Sequence, residues 1–230
     1  MVVDERALTD LRILVARDAE LAGQAEQLRE LDARVAALRS AAETVDRFVA
    51  AYPADDVARR EAVRDAEAGL ARRRAELGDA EAAFAQTRDD DDRAHAQRAV
   101  DRAHDHIAVA EAALTRGRET HDELERQASA LPALVLELEA EAATIGRELA
   151  GVGSPGVGPR SLVDWASRAH AELFVAVGHI DTQRERTIRE VNELASMLTG
   201  EPTYGSTAVQ AFARAERYWT SSPGHVSESR

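Results

Sequence analysis

The chain has 230 residues and a net charge of −13, with no cysteine and with all 29 basic side chains arginine. These facts exclude disulfides, thiolate chemistry and Cys-ligated zinc or iron–sulfur centres, together with the P-loop, Schiff-base and kinase-type chemistries that need a lysine. The acidity opposes a phosphate-tracking surface, and a chain dominated by Ala, Glu, Leu, Arg and Asp, with only nine aromatic residues, is suited to long helices rather than to a compact globule.

Arginine and alanine use GC-rich codons, so a high-GC bacterial genome is expected. The start, Met-Val-Val-Asp-Glu, is acidic where a secretory signal would be basic. No stretch approaches the roughly 20 apolar residues of a membrane span. A cytoplasmic protein without integral membrane insertion is the expectation.

Residues 4–52 are predicted as one long helix. Leu31, Val35, Leu38, Ala42, Val45, Val49 and Tyr52 alternate steps of four and three, the pattern of a buried helical seam. Upstream, Leu11, Leu14, Leu21, Ala25 and Leu28 follow the same rule if Asp18 is allowed in the seam. The step from Leu28 to Leu31 is a stammer. Pro53 is expected to stop this helix, with Asp55 or Asp56 capping the next. A second helix, 56–88, carries Val63, Leu70, Leu77 and Phe84. A third, 92–130, carries Val100, Ile107 and Leu114, and the two repeats fall out of phase across Asp89–Asp92.

Across the four aspartates the chain either continues as one uninterrupted helix, since no Gly or Pro lies there, or reverses, and a reversal sets Phe84 opposite Ala96, Ala80 opposite Val100, Leu77 opposite Ala103 and Val63 opposite Gly117. Large side chains then face small ones, and Arg73 opposite Ile107 is the exception. Asp92 is the expected cap. A second reversal at Pro53 would set Val45 against Val63, Leu38 against Leu70 and Leu31 against Leu77, giving a three-helix arm. Residues 4–19 would then overhang, and their apolar Leu8, Leu11, Ile13, Leu14 and Val15 must be buried against the C-terminal region or a second subunit. Pro132 marks a kink or fresh start before a fourth segment, 133–150, with Leu134, Leu138, Ala142, Ile145 and Leu149.

Residues 151–160 form a Gly/Pro linker. Their string Gly151-x-Gly153-x-x-Gly156 lacks the preceding strand that a dinucleotide fingerprint requires. Residues 161–219 read as an aromatic-richer helical domain. Ser161 is the expected cap of a helix to about 199, Gly200 its stop, and Ser206 or Thr207 the cap of a last helix. Tyr204 lies in the loop between them, either packed on Phe212 or Trp219 or presented for binding. The tail, 220–230, is expected to be disordered.

Asp92/His95 and Asp101/His104 repeat a spacing that can share a metal on a helix. The copies are turned about 180° apart, and a di-iron bundle needs Glu-x-x-His on two helices. His121 falls on the heptad line of Leu114 and reads as interior or rim. No metal, cofactor or catalytic residue is assigned.

The sequence thus predicts an all-α protein, an elongated antiparallel coiled-coil or three-helix arm (1–150) followed by a small helical C-terminal domain. The expected function is a non-catalytic scaffold, adaptor or regulator acting on another protein, with homodimerisation as a further mode. Leu8, Leu11, Leu14, Val15, Trp165, Tyr204, Phe212 and Trp219 are the interaction candidates. The alternatives are a metal-binding or enzymatic helical bundle, and a weak nucleic-acid or membrane-surface association.

Overall fold

A computed structural model describes residues 5–149 and 152–221. Four helices follow one another: α1 (Glu5–Gln86), α2 (Asp90–Glu148), α3 (Pro159–Thr199) and α4 (Ala208–Ser221). With no strand among the described residues, the fold is all-α. Residues 220 and 221 of the expected disordered tail belong to α4, and the remainder, 222–230, lies outside the described residues.

Two expected helix breaks do not occur. Pro53 lies inside α1 and Pro132 inside α2. The reason is periodic. From Tyr52 the alternation of four and three continues through Asp56 and Arg59 to Val63, Ala66 and Leu70, all at least partly buried. The two apolar repeats on either side of Pro53 therefore belong to one seam whose middle is polar. Pro53 points away from that seam and is exposed. It removes one helical hydrogen bond, a cost of about 3 kcal/mol relative to alanine, but bonds on either side hold the helix against α2. Tyr52 donates to Glu125 Oε1 at 3.3 Å and Arg59 to the Thr120 carbonyl at 2.9 Å.

In α2 the same alternation runs without a miss through Leu124, Ala128, Leu131, Val135, Leu138, Ala142 and Ile145, and on to Leu149 just past its end. Pro132 is off that stripe, and so is Leu134, in place of which Val135 takes the inward position. The second reversal is thereby overturned. Val45 and Val63, Leu38 and Leu70, Leu31 and Leu77 lie on one stripe of one helix and cannot face one another, so the arm has no third helix of that origin.

The chain does reverse at the aspartates. The Asp89 carboxylate accepts from the backbone N–H of Asp91 at 3.0 Å and of Asp92 at 3.4 Å, so Asp89 rather than Asp92 caps α2. The Arg93 guanidinium lies over the Phe84 ring across the turn, 5.3 Å from its centroid.

The compact units divide differently from the division at 151–160 read in the sequence. One comprises Ala41–Leu138, and the other Met1–Ser40 with Glu139–Arg230. The first is a helical hairpin. Val63 Cγ2 rests 3.6 Å from where a side chain on Gly117 would begin, the large-on-small pairing expected. Arg118–Glu67 at 2.8 Å and Arg74–Glu111 at 3.1 Å line its rim. Arg73 turns outward to Glu76 at 2.7 Å, which removes the one mismatched layer.

In the other unit, Leu8 and Leu11 are buried with Val191, Ala195, Leu198, Ala208, Ala211 and Ala215. Leu8, Leu11, Leu14 and Val15 of the apolar overhang thus find their cover in α3 and α4, whereas Ile13, expected to be buried with them, is 60% exposed. The start of α1 runs alongside α3, where Arg184 donates to Asp18 at 3.1 Å and Arg29 to both oxygens of Asp181 at 3.1 Å. Asp18 is tolerated in the seam because Arg184 neutralises it. Trp165, fully buried, donates its indole N–H to the Gly153 carbonyl at 2.9 Å. Gly158, at φ 92°, caps α3 ahead of Pro159 with no side-chain bond, so Ser161 is not the cap. Gly156 packs tightly on the start of α3, since a Cβ there would sit 3.0 Å from that of Ser161 and would require Ser161 to shift by a few tenths of an ångström.

Candidate functional site

Two features of the helices are not explained by their seams. The first is on α3. Its buried face carries Leu162, Trp165, Ala169, Leu173 and Val191. Residues 173–177, Leu-Phe-Val-Ala-Val, are apolar without a break. Five consecutive helical residues cover the whole circumference, so one face cannot bury them all. Leu173 points inward, whereas Phe174 is 75% exposed and Val175 67%. With exposed Ala171 and Gly178 they complete an i, i+3, i+4, i+7 stripe. A Cβ on Gly178 would meet nothing within 4 Å, so the stripe is open at that end.

The loop joining α3 to α4 lies on the same unit. Thr203, 1% exposed, donates to the Asn192 carbonyl at 2.7 Å, and Asn192 donates to the Ser206 carbonyl at 3.1 Å. Gly200 takes the left-handed conformation at φ 74° and its N–H bonds the Ser196 carbonyl. Thr207 and Gln210 bond reciprocally at 3.1 and 3.3 Å, a capping box opening α4. Tyr204 is therefore held on an anchored loop and projects outward, 74% exposed, rather than packing on Phe212 or Trp219.

Of the interaction candidates named from sequence, Leu8, Leu11 and Trp165 are buried within the chain. Leu14, Val15, Phe212 and Trp219 are partly buried against the core of α1, α3 and α4. Tyr204 is the outward-facing member. Phe174 was not among them, although the unbroken apolar run around it was a readable signal.

The second feature is a polar layer in the hairpin. Asp56 from α1 and His121 from α2 occupy inward seam positions. His121 Nδ1 is buried, makes no hydrogen bond and lies 3.9 Å from Asp56 Oδ1. Glu125 stands one turn from His121, and the donor atoms of Asp56, His121 and Glu125 all fall within 4.8 Å of one another. Arg60 donates to Asp56 Oδ1 at 2.8 Å and lies 3.5 Å from Glu125 Oε1. The Tyr52 hydroxyl pKa is raised, first by burial and then by the negative charge of Glu125, so Tyr52 stays a donor. By contrast His95, His104 and His106 are exposed on α2.

The start of α3 offers no open anion site at Gly158, because its N–H already donates to Glu139 Oε1 at 2.8 Å. No helix among the described residues is long and apolar enough to cross a membrane. No protein-family model matches the chain, and neither a curated protein nor a solved structure matches it.

Proposed function

We propose that the protein is a non-catalytic scaffold or adaptor that binds another protein through the exposed face of α3. The observation that carries this reading is the stripe Ala171, Phe174, Val175 and Gly178, with Phe174 75% exposed at its centre. An aromatic anchor flanked by small residues suits helix-in-groove recognition. The ring enters a pocket on the partner while alanine and glycine let the partner backbone come close. Tyr204, on its anchored loop, is a second contact of the same kind. The arginine–carboxylate pairs elsewhere on the surface are half exposed and contribute little stability each.

The test is photo-crosslinking in the native host with benzoyl-phenylalanine placed at Phe174, and at Glu190 as an exposed control about four turns farther along α3. A distinct adduct from position 174, lost when Val175→Asp is added, is the expected result. An adduct of twice the chain mass would make the partner a second copy. Identical adducts from both positions, or none, would sink the reading.

A further inference from the structure

We propose that Asp56, His121 and Glu125 form a binding site for a divalent transition-metal ion, zinc by donor chemistry, which braces the two helices of the hairpin. An imidazole nitrogen with two carboxylates is a borderline-soft donor set that zinc accepts. Ligands about 2.1 Å from an ion lie at most about 4.2 Å apart. The 3.9 Å between His121 Nδ1 and Asp56 Oδ1 is already within that limit. The largest separation the group allows, 4.8 Å, exceeds it by an amount that rotation of the half-exposed Glu125 side chain covers.

The decisive atom is His121 Nδ1. It is buried in a helix seam and bonds to nothing, a state that is unfavourable for a polar atom taken out of water. If the layer served only to fix register, an imidazole hydrogen-bonded to Asp56 would serve better, yet 3.9 Å is too long for that bond. Arg60 meanwhile bridges the two carboxylates. It supplies the positive charge that an ion would supply, and it swings out to solvent when the ion enters. Three protein ligands leave the remaining coordination positions to water.

The experiment is a competition titration of zinc against a chromophoric chelator, on full-length protein stripped of metal, with thermal unfolding followed in parallel. One equivalent should bind and raise the Tm. His121→Ala should weaken binding by about 100-fold or more, beyond the roughly 10–100-fold expected for a supporting residue. Arg60→Ala should tighten binding by removing the competitor. The exposed His104→Ala should change nothing. Asp56→Asn gives a second ligand deletion should His121→Ala fail to fold. Zinc binding that survives both ligand deletions, or a wild-type affinity no better than that of His121→Ala, would overturn the site. Neither result bears on the α3 stripe, which the crosslinking experiment tests separately.

Discussion

Single residues decide several features that periodicity alone leaves open. Gly69 and Gly78 sit inside α1 with nothing within 4 Å of the place a Cβ would take, whereas Gly146 in α2 has the Trp165 ring at 3.4 Å and the Gly153 carbonyl at 3.6 Å. Alanine at either of the first two positions should therefore raise stability by about 0.5–1 kcal/mol, through backbone entropy and helix propensity. Alanine at Gly146 should gain less, because the Trp165 ring leaves it only close contact. Urea denaturation of the three variants checks this, and equal gains at all three would contradict the contact at Trp165. Sequence could not separate these glycines, since each stands alone in a helical pattern. What distinguishes them is which neighbour tertiary packing brings to that spot. The same holds for His121, whose heptad position was legible while its unbonded nitrogen was not.

At the scale of elements, the seams were legible apart from Val49, which is exposed, and so was the end of α3 at Gly200, whereas the continuation of α1 through Pro53 and of α2 through Pro132 was not. Tyr52 to Val63 is four, three and four residues through Asp56 and Arg59, so the phase survives Pro53. Those two polar residues hid the continuity, because apolar periodicity lapses at them just where a proline suggests a stop. The cost of a proline in a helix interior is real, but here it is offset by pairing along the seam on both sides. Pro53→Ala should consequently stabilise the hairpin by about 1–3 kcal/mol, read as an increase in the thermal midpoint. A decrease would mean that α1 depends on a distortion at this position. The reversal at Asp89 was readable from the phase shift, and the choice of Asp89 as cap was not, since four consecutive aspartates offer equivalent side chains.

For the whole molecule, the informative case is the beginning of α1. The sequence required its apolar face to be covered, by the C-terminal region or by a second subunit, and the cover is α3 and α4. Leu11, fully buried there, is core. Leu11→Asp should cost about 3–5 kcal/mol, the penalty of an unpaired charge at a buried apolar site, with a matching fall in the urea midpoint followed by helical circular dichroism. A variant of undiminished stability that merely loses self-association would show that this face belongs to an interface. The exposed α3 stripe was missed for the opposite reason. Aromatic residues beside loops are the more familiar sign of a contact surface, while the unbroken run from Leu173 to Val177 already exceeded what one buried face can absorb.

The make-up of the two compact units sets an order of events at the ribosome. Residues 41–138 are contiguous, and their helices are joined by a short turn, so this unit needs only local chain closure. The other unit joins the first 40 residues to those after 138. Leu8 and Leu11 leave the ribosome roughly 200 residues ahead of Val191, Ala195 and Ala211, an interval of about 10–40 seconds at ordinary elongation rates. Throughout that interval an apolar helix face waits without its partners.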